Sequence, residues 1–377
     1  MNKIYLDQAS TSFPKAPSVA QAVYNYLSGS AVNVNRGGYR AAYSVEEQIF
    51  ETREQLLKLF HFTSGKGKNV IFTENITASL NVLLKGLLKP GDHVLVTAME
   101  HNAVMRPLVQ LEKHGISFDR IPCASDGSLL LDKAAALLRP ETKLVVCLHA
   151  SNVCGTVMPA QEIGNFCRKH GLFFILDTAQ TAGTLDIDME KYHIDALAFT
   201  GHKGLRGPQG TGGLYVHQGV KINPLKVGGS GIHSFDHEHP KAMPEHLEAG
   251  TLNVHGIAGL GGALNYLREI GTEAIIKKER SLIKRLEDQI RDLPNIHLYG
   301  NPDSSQRVGI LSFNMGDEDS AYVADWLFEE EEIAVRSGAH CAPLMHEALG
   351  TKMQGAVRIS VSHKNTEEEI DRTANAI

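Results

Sequence analysis

The sequence predicts an α/β fold with a mostly parallel seven-stranded sheet, helices on both faces, and a smaller α+β unit beside it. Three observations carry this. The chain has 377 residues, more than one hydrophobic core usually holds, so two units are expected. Short apolar runs alternate with helix-period stretches through the first two thirds, the pattern of βαβ crossovers. After about residue 260 the texture shifts to charged helices and short strands. The expected division is a large unit over 15–260 and a small one built from 1–14 and 261–377.

Taken in order, Ser44-Val-Glu-Glu47 has the form of a capping box, predicting an amphipathic helix through Leu59. Strands are predicted at 70–73, 93–97, 144–148, 172–176, 196–199 and 213–216, with helices at 78–87 and 160–169 between them. A charged helix over 277–293 leads to short strands at 308–313, 333–336 and 356–360. Asn365-Thr366 then starts a further helix.

Composition excludes some classes. Hydrophobic content of 42% and charged content of 21% are ordinary for a globular chain. A net charge of −6 gives no reason to expect nucleic acid or anionic membrane as a partner. No run of eighteen apolar residues occurs and MNKIYLDQAST lacks a leader's apolar region, so a cytoplasmic location is expected. The five cysteines, Cys123, Cys147, Cys154, Cys167 and Cys341, are odd in number and scattered, which fits a reducing compartment. Cys147 and Cys167 fall in apolar patterns and are expected to be buried small hydrophobes. The eighteen histidines show no organising ligand spacing, and no metal site is expected.

The chemistry concentrates between Leu172 and Gly213. One predicted strand ends in Asp177, and the next ends in Thr200-Gly-His-Lys203 with a glycine-rich turn after it. Open α/β sheets bind ligands at the carboxyl ends of their strands. A lysine that forms a Schiff base with pyridoxal 5'-phosphate, and an aspartate that pairs with its ring nitrogen, need this arrangement. Either residue alone also fits a surface lysine or a helix-capping aspartate. The phosphate would need free amides at a helix N-terminus, which Asn75-Ile76-Thr77 offers, with Thr200 and His202 as further donors. The same segment fits a plain N-cap. His101 is placed to stack on the ring and Gln180 to reach its phenolic oxygen. Arg358 is placed to hold a substrate carboxylate with a bidentate fork, assisted by Asn152. Cys341 sits beside His340 and near Arg336, whose positive charge would favour a nucleophilic thiolate.

These residues together resemble the pyridoxal-phosphate-dependent cysteine desulfurases and selenocysteine lyases of the class V aminotransferase type. The resemblance rests on EHN at 100–102, SNVCGT at 151–156, DTAQ at 177–180, GHK at 201–203, EAGT at 248–251 and RSGAHCAP at 336–343. It implies a fold-type-I homodimer with active sites at the subunit interface. Residue by residue it implies Lys203 as the Schiff-base lysine, Asp177 on the ring nitrogen, Gln180 on the phenolic oxygen and His101 on the ring face. Ile76, Thr77, Thr200 and His202 would bind the phosphate, with Thr251 reaching in from the other subunit. Asn152, Arg358, Asn35 and Arg336 would line the substrate, and Cys341 would take the sulfur as a persulfide. The short RSGAHCAP segment is similar to the compact-loop group, whose members often hand sulfur to an acceptor protein. The chain departs from the family pattern at Ala339, Asn35 and Tyr39, where histidines are common. The activity implied is removal of sulfur from L-cysteine, or selenium from L-selenocysteine, giving L-alanine. A selenocysteine-specific lyase, another transaminase or lyase of this fold, and a cofactor-free sulfur carrier are the alternatives.

Overall fold

The computed structural model describes residues 3–29, 31–34 and 38–377. The elements run β1 (Ile4–Tyr5), α1 (Pro17–Gly29), α2 (Arg40–Leu59), β2 (Val70–Thr73), α3 (Ile76–Leu87), β3 (His93–Thr97), α4 (Asn102–Glu112) and β4 (Ser117–Ile121). Then come β5 (Thr142–Leu148), α5 (Ala160–His170), β6 (Phe173–Asp177), β7 (Ala196–Thr200), β8 (Gly212–Val216), α6 (Val254–Ile270) and α7 (Thr272–Ile290). The chain continues through β9 (Ile296–Tyr299), β10 (Ile310–Met315), α8 (Ser320–Glu331), β11 (Ile333–Ala334), α9 (Pro343–Ala348), β12 (Val357–Ser360) and α10 (Glu367–Ala376).

The main sheet has seven strands in the order β2-β8-β7-β6-β5-β3-β4, and only β8 runs against its neighbours. Its strands alternate between two faces, because a strand repeats every two residues. Val145, Cys147, Phe174 and Leu176 pack on one face with Ile49 of α2, Ile163 of α5 and Leu260 of α6. Leu144, Val146 and Ile175 pack on the other with Leu80 of α3 and Leu108 of α4. Both faces are therefore dry, which explains why the strands read as continuous apolar runs. Burying each such side chain contributes roughly 1.5–3 kcal/mol. Cys147 and Cys167 lie in this core, as their patterns predict.

A second, antiparallel sheet, β12-β10-β9, is covered by α7, α8 and α10, with Leu282, Val323 and Ile370 against Leu311, Phe313 and Ile359. β1 pairs in parallel with β11, so Ile4 and Leu6 join this C-terminal core. The two layers meet where the carboxyl ends of the main strands face the N-terminal segment. No helix among the described residues is long and apolar enough to cross a membrane.

Two local expectations need correction. α2 begins at Arg40 behind an extended Tyr39 that makes no side-chain cap, so Ser44 lies inside the helix and caps nothing. Ala42, Val45 and Ile49 are buried on one side, and that burial carries the helix a turn further back than the capping pattern. β4 has no counterpart in the sequence reading. Its SFDRI is a half-exposed edge strand with little apolar alternation. The Thr366 start is as expected, with a complete capping box to Glu369.

Candidate active site

Pairing of β6 with β7 sets Asp177 opposite Ala198, and pairing with β5 sets it opposite Leu148. Asp177 is 3% exposed, and its Oδ1 accepts a 2.8 Å hydrogen bond from the amide of Ala179. The segment after it is a run of tight turns rather than a helix, so Asp177 closes a turn. Burial pushes its carboxyl up to about 6, opposed by that amide and by Lys203. Lys203 keeps some exposed surface along its side chain, yet burial and then the Arg358 guanidinium lower its amine to about 8. A lysine so placed reaches the neutral, nucleophilic form near physiological pH.

Arg358, on β12, is 1% exposed. Its Nη2 donates to Asp7 Oδ1 at 2.8 Å and Ser10 Oγ at 3.0 Å, and its Nη1 donates to the carbonyl of Asn152 at 2.8 Å. Nε is buried without a partner. A two-point grip on a carboxylate therefore requires Nη2 to release Ser10, while Asp7 keeps the guanidinium in place. Arg336 pairs its backbone with that of Arg358 and donates from Nη1 to the same Ser10 Oγ at 2.9 Å. Two guanidiniums and the Lys203 amine thus converge against Asp7 and Asp177, a surplus of positive charge that an anionic ligand would balance.

The N-terminal segment is the part that sequence reasoning missed. Besides Asp7 and Ser10, it places the amide of Ser12 (2.9 Å) and Lys15 Nζ (2.8 Å) on the carbonyl of His202. Gln180, from the turns after β6, donates to the carbonyl of Ala9 at 3.2 Å. Nothing periodic marks residues 7–15. The one signal was a cluster of polar side chains directly after a short apolar strand.

The geometry on the β7–β8–β2 side meets the demands of a phosphate. Thr200 pairs with Gly212, which pairs with Thr73, so Thr200 and the turn before α3 flank one glycine. A Cβ at Gly212 would stand 2.7 Å from Asn75 Cα, so only glycine allows this approach. Asn75 caps α3 by accepting from the amide of Ala78 at 3.0 Å, leaving the first-turn amides of Ile76 and Thr77 without intrahelical acceptors. Thr200 Oγ1 and His202 Nδ1 are buried with no hydrogen-bond partner. Orphaned buried polar atoms are costly unless a ligand satisfies them. These donors, the buried carboxylate of Asp177 and the low-lying amine of Lys203 fit pyridoxal phosphate.

The EHN segment follows β3. Glu100, fully enclosed, accepts from Thr97 Oγ1 at 2.7 Å and the amide of Leu148 at 2.9 Å, and burial pushes it up to about 8. It ties the ends of β3 and β5 together. His101 caps α4, its Nδ1 accepting from the amide of Ala103 at 3.0 Å. Burial, with Lys203 and Arg336 nearby, lowers it to about 4, so it is neutral and carries its proton on Nε2. The amide of Asn102 donates to the carbonyl of Cys341 at 2.8 Å, and Asn152 Nδ2 donates to the carbonyl of His340 at 2.7 Å. Both walls of the pocket therefore hold the cysteine segment.

Cys341 itself is exposed. His340 does not supply the positive charge expected beside it. The ring is buried, and burial together with Arg358 lowers it to about 3, so it stays neutral. The Arg336 guanidinium is turned to Ser10, on the N-terminal segment.

Thr251 does not meet Lys203 within this chain. It is exposed and lines a cavity of 280 Å³ with Arg53 and Glu248, whereas Lys203 lines a separate, smaller one with Gln8 and Gln180. Glu248 of the EAGT segment is structural: it accepts from Arg53 at 2.8 Å and from the amide of Phe72 at 2.6 Å. Asn35 lies outside the described residues. One H-x3-H spacing does occur, His233 with His237 on an exposed loop, yet the described residues contain no group of three side chains able to hold a metal ion.

The sequence pattern of the class-V aminotransferases matches residues 4–373. A probable cysteine desulfurase of Methanothermobacter thermautotrophicus is 34% identical, over 97% of this chain and 92% of that one. A cysteine desulfurase of Haloferax volcanii is 32% identical, over 99% and 88%. Among solved structures, the apo cysteine desulfurase of Thermococcus onnurineus NA1 superposes with a TM-score of 0.92 at 31% identity, covering 99% of this chain and 93% of that one. An Escherichia coli cysteine desulfurase in an S-sulfonic acid form gives 0.89 at 28% identity, covering 99% and 93%.

Proposed function

The chain belongs to the class-V aminotransferase family, whose fold-type-I members depend on pyridoxal phosphate, and from that premise we propose that it removes sulfur from L-cysteine to give L-alanine. The observation that carries this reading is Cys341, an exposed thiol held by the two walls of the Lys203 pocket through Asn102 and Asn152. A transaminase of the same fold has no need of a thiol there. Relatives named cysteine desulfurase, matched over nearly their whole length, support the same choice.

Bound pyridoxal phosphate supplies a sink for the electron pair released at the substrate α-carbon. Ile76, Thr77, Thr200 and His202 would hold its phosphate, Asp177 its ring nitrogen, Gln180 its phenolic oxygen, His101 its face and Lys203 its aldehyde. Arg358, steadied by Asp7, draws in the substrate carboxylate, with Asn152 and Arg336 beside it. Lys203 takes the α-proton as a base, which its lowered affinity for protons favours. The Cys341 thiolate then attacks the substrate sulfur. A sulfur–sulfur bond forms as the carbon–sulfur bond breaks, and the β-carbon keeps that electron pair and takes a proton. Lys203 returns a proton to the α-carbon, L-alanine leaves, and Cys341 is left as a persulfide for an acceptor. The exposed, separate position of Thr251 agrees with a homodimer in which it serves the neighbouring site.

L-Selenocysteine differs from L-cysteine only in its chalcogen, and its weaker carbon–selenium bond would ask less of Cys341. The test is alanine released from each substrate by the wild type and by Cys341→Ala. The expected result is a loss of about 100-fold or more with L-cysteine and a smaller loss with L-selenocysteine. No alanine from either substrate, or a keto-acid product, refutes the reading.

A further inference from the structure

Behind Cys341 lies a buried chain of side chains that the reaction as described does not use. His340 and His346 are 3% and 1% exposed, with rings nearly parallel at 16° and centroids 5.5 Å apart. His340 Nε2 is 3.3 Å from the carbonyl of Arg336, His340 Nδ1 is 3.3 Å from His346 Nε2, and His346 Nδ1 is 2.7 Å from Thr351 Oγ1. A carbonyl only accepts, so His340 Nε2 must carry the hydrogen. Burial keeps both imidazoles in the neutral form. His340 Nδ1 is then a lone pair, His346 Nε2–H donates to it, and the Thr351 hydroxyl donates to His346 Nδ1. The hydrogen bonds run in one direction, from Thr351 through both rings to Arg336, and span the whole cysteine segment.

That segment needs such a brace. His340 and Cys341 are successive non-glycine residues in the left-handed region, at φ +51° and +57°. Each is unfavourable for an L-residue and persists only where surroundings hold it. The turn sends the imidazole inward and leaves the thiol exposed.

We infer that His346 is a positioning residue for the Cys341 thiol: its N–H holds His340 inside and thereby maintains the double left-handed turn that presents the sulfur. This rests on the sulfur-removal reading above and adds to it a residue that touches neither substrate nor cofactor.

The experiment uses the full-length, cofactor-loaded enzyme with His346→Leu, which removes the donor, and His346→Gln, which retains an N–H toward His340. With L-cysteine, His346→Leu is expected to lower kcat about tenfold with KM within about twofold, the loss of one buried hydrogen bond. His346→Gln should recover most of that loss. Chloride release from 3-chloro-L-alanine, whose own leaving group departs without a thiol, should stay within about twofold in both. Amide exchange across 338–342 should quicken in His346→Leu. Unchanged kcat in His346→Leu, a His346→Gln variant as impaired as His346→Leu, or a parallel fall in chloride release would each overturn the inference. If His346→Leu does not fold, Thr351→Val removes the far end of the chain, and about a threefold loss with normal chloride release is expected; no loss counts against it. A wild type that makes no alanine from L-cysteine would sink the function, while the exchange difference would still decide the bracing.

Discussion

The Lys203 pocket and the Cys341 segment are both parts of one site, yet they are built in opposite ways. The pocket stands on the ends of buried strands, where Asp177 and Thr200 are fixed by ladder pairing that extends through a dry sheet. The cysteine segment has little regular structure and keeps an unfavourable backbone through tethers from Asn102, Asn152 and His346. The contrast teaches that the groups holding a cofactor can be carried by the core. The thiol proposed to meet the substrate sulfur is instead held at the surface by separate, individually breakable bonds.

The sharpest way to break this comparison is Lys203→Ala. It should abolish both alanine formation from L-cysteine and chloride release from 3-chloro-L-alanine, by about 1000-fold or more, and prevent borohydride from fixing the cofactor to the chain. If chloride release survives, the pocket and the cysteine segment do not divide the work as described.

Glu100 tests how rigid the pocket's base is. Its carboxyl is held at about 8 rather than the ordinary 4.5. Between those values the folded chain keeps a proton that the unfolded chain releases, so stability falls as pH rises through the window. The fall is on the order of 1–3 kcal/mol after relaxation, and Glu100→Gln should flatten it while keeping the acceptor for Thr97 and Leu148. Urea unfolding of cofactor-free protein at pH 5 and pH 8 measures the difference. An equal drop in wild type and variant would show that the carboxyl is already relaxed.

Asp7→Asn is the mildest probe. It retains an acceptor for Arg358 but removes the charge, so KM for L-cysteine should rise about tenfold with kcat within about twofold. A kcat loss with unchanged KM would instead assign Asp7 to the chemistry.

Much of the pocket was legible because strand periodicity is local. The runs ending in Asp177 and Thr200 could be read within a few residues of the chemistry, and Lys203 followed. Cys341 stood out by its neighbours in the chain, but the state of His340 did not, since its burial against His346 and its distance from water are tertiary facts. The grip of Asp7 on Arg358 joins positions 351 residues apart, and no period or spacing signals such a pair. Glu100 belongs to a recognisable motif, yet its carboxyl answers to the amide of Leu148, on another strand. Ser44 shows the reverse case, a sound local signal overridden when Ala42 and Val45 found a core to enter.

The pairing of β1 with β11, and the grip of Asp7 on Arg358, also bear on how the protein is made. A ribosome adds roughly 5–20 residues per second, so the first strand must wait tens of seconds for its partner to be synthesised. In the last part of that interval Asp177 and Lys203 already exist, but Arg358 does not. The Asp7–Arg358 corner of the pocket can therefore form only after residue 358 has been added.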